Sequence, residues 1–324
     1  MSEHSAGMYN DIEPLWTDDR LPLGQPFTAS QARQRGISSW QLTRMRREGL
    51  VRRVFQGVYV DVASDDNLLS RAQALGLVVP ATAIVTDECA AWAYGVDLVA
   101  RGNHLIPPPL SIHQPLDQTR VRKPGTKGGR RSLDARDVEV VHGVRVTNGL
   151  RTACDLARLR SRPRGLAALN ALQRRRGFSA EELAGEVHRF GGFRGVVQLR
   201  GLAPLVDPRA ESPAESAMRL LWIDAGFPPV TTQITVLDDY GREIYRLDMG
   251  IPEIRYAAEY DGVAWHSSPE QLEHDRRRRT WLRNRRGWVI DVLGNDEVFR
   301  RPELAPGIFR RGIARAERLH RRAA

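Results

Sequence analysis

The sequence predicts an α+β protein of several domains, and three observations carry that expectation. The chain has 324 residues, which suits two or three domains at about 150 residues each. Residues 26–62 join two capped helical runs to a β-prone pair around a glycine. From residue 208 onward the elements read α-β-β-β-α-β-α. Composition agrees, with 41% apolar and 27% charged residues, the balance of an ordinary globular protein. No unbroken apolar run approaches the length of a transmembrane helix, so no membrane span is expected. Met1 to Arg20 is polar and acidic with no apolar core, unlike a secretory signal. Cys89 and Cys154 stand far apart, which excludes a disulfide scaffold or a cysteine zinc site and fits the cytoplasm.

The formal charge is +10, from 49 basic and 39 acidic residues, and points to a polyanionic partner. Lys123 and Lys127 are the only lysines. A high-GC genome would enrich arginine in this way without any functional cause, so local placement has to decide.

Residues 1–25 read as a flexible tail, and 26–65 as a first small domain. Thr28-Ala29-Ser30-Gln31 is a capping box that opens a short helix ended by Gly36. Ser38 or Ser39 caps a second helix through Arg47, and Gly49 stops it. Leu50 to Phe55 and Val58 to Val60 then flank Gln56-Gly57 as two short strands. Helix, helix, hairpin is the order of a winged helix. In that arrangement Ser38, Ser39 and Gln41 could reach base edges, while Arg44, Arg47 and Arg52 could reach phosphates.

Residues 66–205 form a middle α/β region. Asn67 to Gly76, Thr86 to Tyr94, Leu150 to Arg160 and Ala167 to Arg176 read as helices. A further helix opens at the Ser179 capping box. Val138 to Val146 is strand-like with a turn at His142-Gly143, and Pro107 to Ser132 reads as a basic loop. His104, His113 and His142 lack ligand spacing.

Residues 206–324 form the third domain. Ser212-Pro213-Ala214-Glu215 is a capping box, and Met218, Leu221, Trp222 and Ala225 give its helix one apolar face up to Gly226. Val230 to Leu237, Glu243 to Met249 and Arg255 to Asp261 follow as strands. Ser268 caps a helix to Arg286, Trp288 to Leu293 is a fourth strand, and a basic helix spans Ala305 to Arg321.

The chemistry concentrates here. Glu259 and Asp261 are two apart on one strand and so share a face. A hairpin register that pairs Asp248 with Ala257 would add Asp248 to the same face. Carboxylates that close repel one another, and Mg²⁺ or Mn²⁺ resolves the conflict. Such an ion activates water and neutralises charge on a phosphoryl centre. His266 follows the strand as a general base or supporting donor. Arg276, Arg278, Arg279 and Arg283 on the adjoining helix suit a phosphate-binding wall.

The run Asp248…Glu259-Tyr260-Asp261-Gly262…Trp265-His266…Asp275-x-x-Arg278…Leu282…Gly287-Trp288-Val289-Ile290 resembles the very-short-patch-repair (Vsr-like) endonucleases and their relatives in domain-of-unknown-function family 559. That resemblance, over about residues 208–300, implies a PD-(D/E)XK, restriction-endonuclease-like domain. It implies that Asp248 and Glu259 bind metal, that Glu215 supports the site, that Gln233 lies near its centre, and that His266 assists hydrolysis. The family's lysine is replaced by Asp261. Either Asp261 is an additional metal ligand and His266 replaces the lysine, or cleavage is weak or lost.

Residues 26–62, together with Val85 to Gly95 and Gly143 to Ala157, resemble AbiEi-type antitoxins. That resemblance implies operator binding by the winged helix and repression of the protein's own operon. Two readings follow. One is a DNA-binding protein with an Mg²⁺-dependent endonuclease domain. The other is a non-catalytic transcriptional regulator or antitoxin, of a type IV toxin–antitoxin-like or defence system, with a degenerate nuclease fold. The expected partners are DNA and a cognate toxin or a second copy of the chain, with no membrane.

Overall fold

The structure, a computed structural model, describes residues 20–22, 24–98, 106–121, 124–262 and 269–323. The described residues form two compact units, those within 20–85 and 106–146, and those within 86–98 and 147–323. The segment expected as a middle region contributes elements to both.

In the first unit, β1 (Phe27–Thr28) leads into α1 (Ala29–Gln34), α2 (Ser39–Arg47), β2 (Val51–Phe55) and β3 (Val58–Asp61). Thr28 and Gln31 form the expected capping box. Gly36 and Gly49 end the two helices with φ of 79° and 76°, backbone that glycine adopts without a Cβ clash. The three strands pair antiparallel in the order β1-β3-β2. Phe27, Ala32, Ile37, Leu42 and Val51 are buried between helices and sheet. Burying them offsets the entropy of ordering so short a segment.

The first unit continues with α3 (Leu68–Gly76), β4 (Ile84–Val85), β5 (Ser111–Gln114), β6 (Lys127–Arg130), β7 (Val138–Val141) and β8 (Val144–Thr147). These strands form a second sheet in the order β6-β5-β4-β8-β7. Two of them correct the sequence reading, because β5 and β6 lie inside the stretch expected to be a basic loop. The sequence of β6, Lys-Gly-Gly-Arg, has no apolar alternation to mark a strand. Its Gly128 is required by close approach, since a Cβ there would sit 1.9 Å from the Ile112 carbonyl oxygen.

The second unit starts with α4 (Asp87–Ala93), α5 (Gly149–Leu159), α6 (Arg162–Arg176), α7 (Ala180–Arg189) and α8 (Val196–Leu202). Helix α6 begins five residues before the expected start because Pro163 fits the first helical turn. Helix α8 is too short to leave a periodic signal. Asp155, almost fully buried, accepts from Arg151 at 2.9 Å and Arg158 at 2.7 Å. Both guanidiniums also lie 5.1 Å from the Phe190 ring centroid.

The unit ends with α9 (Pro213–Asp224), β9 (Thr231–Leu237), β10 (Glu243–Ile251), β11 (Tyr256–Tyr260), α10 (Pro269–Arg286), β12 (Val289–Leu293) and α11 (Ala305–Ala323). This is the expected α-β-β-β-α-β-α order. The sheet runs β12-β11-β10-β9, antiparallel except for the parallel β11–β12 pair. Trp222 of α9, Tyr256 and Ala258 of β11 and Phe309 of α11 pack one face of it. Leu282 of α10 packs with Leu247, Ala257 and Ile290 on the other. Strand β10 runs two residues past Met249, and Arg255 takes the turn before β11 at φ 52°.

Candidate functional site

The exposed face of α2 is the first candidate. Only Leu42 is fully buried in this helix, which leaves the opposite side to solvent. Trp40, Thr43, Arg44 and Arg47 fall at i, i+3, i+4 and i+7, and all four are exposed. Trp40 is 67% exposed, unusual for so large an apolar group. The Arg44 guanidinium lies 5.9 Å from its ring centroid and pairs with Glu48 at 2.6 Å. Ser39 and Arg46 flank this stripe, both exposed. Residues 26–62 carry seven arginines against two acidic residues, so the segment presents net positive charge to a polyanion.

Three of the expected DNA contacts are engaged elsewhere. The Gln41 backbone N–H donates to Ser38 Oγ at 3.2 Å, and the Ser38 N–H donates to Gln41 Oε1 at 2.8 Å. Both side chains therefore satisfy the helix N-terminus rather than standing free for base edges. Arg52 is half-buried near Asp66 and Arg71, and burial draws its pKa below the usual arginine value. Exposed Arg53, unremarked in the sequence, is the better placed of the two.

The second candidate is a polar row across the C-terminal sheet. Met249 pairs with Ala258 and Gly250 with Ala257. The register is thus two residues from the one expected, with Gly250 rather than Asp248 opposite Ala257. A two-residue shift keeps the pleat parity, so Asp248 and Glu259 still share a face. Thr232 and Ile234 pair with Met249 and Leu247, which sets Gln233 beside Asp248. Gln233 has φ 53°, a left-handed backbone within a strand that costs of order 1–3 kcal/mol. Its Nε2 donates to Glu215 Oε2 at 2.8 Å.

Glu215 departs from the expected capping box. Ser212 accepts from the Glu215 N–H at 3.1 Å, but the Glu215 carboxylate accepts from the Glu211 N–H and from Gln233. The Tyr260 backbone N–H donates to Asp248 Oδ2 at 2.7 Å. Burial, followed by the charges of Glu215 and Glu259, pushes Asp248 up to about 7.

Arginines meet the remaining acids. Arg278 Nη2 donates to Glu259 at 2.8 and 2.9 Å, and Arg279 donates to Glu259 at 3.3 Å and to Asp261 at 2.8 Å. Both face inward instead of forming an open phosphate wall. Arg276, by contrast, is 82% exposed near Glu273, and exposed Arg283 donates to the Ile290 carbonyl at 3.2 Å. His266 lies outside the described residues.

The fit of a divalent cation follows from this bonding. Glu259 and Asp261 are neutralised by guanidinium groups, and one oxygen of Asp248 is held by a backbone N–H. Among the described residues, no three His, Cys, Asp or Glu side chains are gathered to hold a metal ion. As arranged, the donor set does not fit Mg²⁺ or Mn²⁺, which take free carboxylate oxygens and water. Gln233, Asp248, Glu259 and Glu215 lie near one another in the structure. The sequence reading missed Arg278 and Arg279 as counter-charges of Glu259 and Asp261, although their position one helix after Glu259-x-Asp261 was the available signal.

Comparison with known proteins finds both family matches and relatives that cover most of the chain. Residues 23–60 match the family described as "Transcriptional regulator, AbiEi antitoxin", and residues 81–208 match the "AbiEi antitoxin C-terminal domain". The chain is 34% identical over 268 residues to uncharacterized protein Rv2248 of Mycobacterium tuberculosis strain ATCC 25618 / H37Rv, covering 83% of this chain and 94% of that protein. Uncharacterized protein MT2308 of strain CDC 1551 / Oshkosh is similar to the same extent, at 34% over 268 residues. No helix among the described residues is long and apolar enough to cross a membrane.

Proposed function

We propose that this chain, which belongs to the family of these two mycobacterial proteins and carries AbiEi antitoxin domains, is a DNA-binding transcriptional regulator of the antitoxin type. The observation that carries this reading is the exposed Trp40, Thr43, Arg44 and Arg47 stripe on the second helix of a helix–helix–hairpin segment. Read as a winged helix over residues 26–65, that segment lays α2 in the major groove. Arg44, Arg46, Arg47 and Arg53 then contact phosphates, and Thr43 and Trp40 meet base edges. Ser38 and Gln41 fix the helix start. Operator DNA and a cognate toxin are the partners this reading assigns, with a second copy of the chain on a palindromic site.

A reporter fused to the promoter of the protein's own gene tests regulation. Repression by the wild-type chain, relieved by Arg47→Ala and Trp40→Ala, supports the reading. Repression that both variants retain, or no repression at all, contradicts it.

A second reading is favoured by the strained Gln233 backbone and the elevated Asp248, features that cluster at functional sites. It makes residues 206–324 a restriction-endonuclease-like hydrolase, with Asp248, Glu259 and Asp261 around Mg²⁺ or Mn²⁺, and Glu215, Gln233 and His266 in support. Glu259 and Asp261 would first have to leave Arg278 and Arg279. Plasmid nicking that requires divalent cation and disappears in Asp248→Ala supports this reading, and no nicking beside retained DNA binding removes it.

A further inference from the structure

A cavity of about 530 Å³ opens where the C-terminal end of α10 meets α11 and the beginnings of β11 and β12. Arg255, Arg283, Arg315 and His320 line it, together with apolar Trp288 and Leu319, and no acidic residue does. It therefore differs in chemistry from the carboxylate row.

The state of the three guanidiniums decides what the cavity suits. Arg315 pairs with Asp291 at 2.8 Å, so its charge is compensated. Arg255 donates to the Arg286 carbonyl at 3.0 Å, and Arg283 to the Ile290 carbonyl at 3.2 Å. Among the described residues neither meets a carboxylate. A carbonyl engages one N–H of a guanidinium that carries five, so most of each fork remains free for an oxyanion. A planar fork matches phosphate oxygens in pairs.

Beside this charge, Trp288 is only partly buried and Leu319 is 49% exposed. An aromatic plane next to an arginine pair accommodates a flat, polarisable ring. The volume lies within the range of small-molecule sites.

We propose that this cavity binds a nucleoside 5′-phosphate, its phosphate on Arg255 and Arg283 and its base against Trp288 and Leu319. Two sources offer that chemistry, a free mononucleotide or the 5′-phosphorylated end of a nucleic-acid strand. The site is independent of DNA docking by α2.

Isothermal titration calorimetry of the full chain tests it, with AMP, inorganic phosphate, and a tetranucleotide bearing or lacking a 5′-phosphate. The expected result is saturable one-site binding of AMP, tighter than inorganic phosphate. Arg283→Ala should weaken it about tenfold or more, the usual scale for losing a charged hydrogen bond, while Arg300→Ala outside the cavity should leave it unchanged. Arg283 is exposed, so its variants should stay folded, and matching melting temperatures verify that. Arg283→Glu should abolish binding. Stronger binding of the phosphorylated tetranucleotide than of AMP assigns the site to strand ends, and the reverse order assigns it to free nucleotide. No saturable binding of any of these ligands, or binding that Arg283→Ala and Arg283→Glu leave unchanged, overturns the proposal.

Discussion

Ser38 and Gln41 bind each other reciprocally across the first turn of α2, at 3.2 Å and 2.8 Å. The pair closes two of the donors that every helix start leaves open. It also occupies both side chains, so the proposed DNA contacts fall to the exposed Trp40, Thr43, Arg44 and Arg47 instead.

Ser38→Ala should therefore act through folding. Loss of such a cap costs about 1 kcal/mol. Chemical denaturation should show that decrease, while DNA affinity at temperatures well below the melting point should change little.

Arg47→Ala should act on binding. Removing one phosphate contact should weaken all duplexes alike and lower the slope of log affinity against log salt by about 1. Trp40→Ala should leave that slope unchanged and reduce the difference between preferred and unrelated sequences. Salt titrations by fluorescence anisotropy separate the two effects.

Asp248 should make stability depend on pH. Its folded pKa is raised to about 7, well above the value of about 3.9 expected when unfolded. The folded state therefore holds a proton that the unfolded state releases. The stabilising effect is complete below about pH 4 and is lost as pH rises through about 7. Asp248→Asn keeps a carbonyl oxygen for the Tyr260 N–H and should remove this dependence. At pH 8 the variant should melt a few degrees above wild type, at about 2–4 °C per kcal/mol. At pH 4 the two should converge.

Asp155→Ala should be among the most damaging single changes in the second unit. It strips the carboxylate from Arg151 and Arg158, whose side chains are 3% and 7% exposed. Breaking a buried pair on one side costs about 3–5 kcal/mol. Thermal denaturation should show the loss, and the isosteric Asp155→Asn should be milder.

Much of this architecture was legible because caps and glycines punctuate it. Thr28, Ser38, Ser179 and Ser212 marked helix starts, and Gly36, Gly49, Gly226 and Gly287 marked stops. Strand β6 was hidden because Lys-Gly-Gly-Arg carries no apolar alternation and its Gly128 serves close approach to Ile112, and β5 was hidden because four residues, Ser111 to Gln114, are too few to show a period. The row of Gln233, Asp248 and Glu259 was legible as residue types, because same-face parity survives a two-residue slip. Its neutralisation was not, because a run of four arginines looks alike in sequence, and only the fold turns Arg278 and Arg279 inward while leaving Arg276 in solvent. The left-handed backbone of Gln233 leaves no trace in the sequence.

In the proposed function α2 docks on DNA. The most direct measurement is fluorescence anisotropy of the full chain on duplex DNA from upstream of its own gene, against an unrelated duplex at the same salt. Tighter binding to the upstream duplex is expected, with at least a tenfold loss in the Trp40→Ala/Arg47→Ala double variant at unchanged melting temperature. Equal affinity of wild type and double variant for the upstream duplex would contradict it.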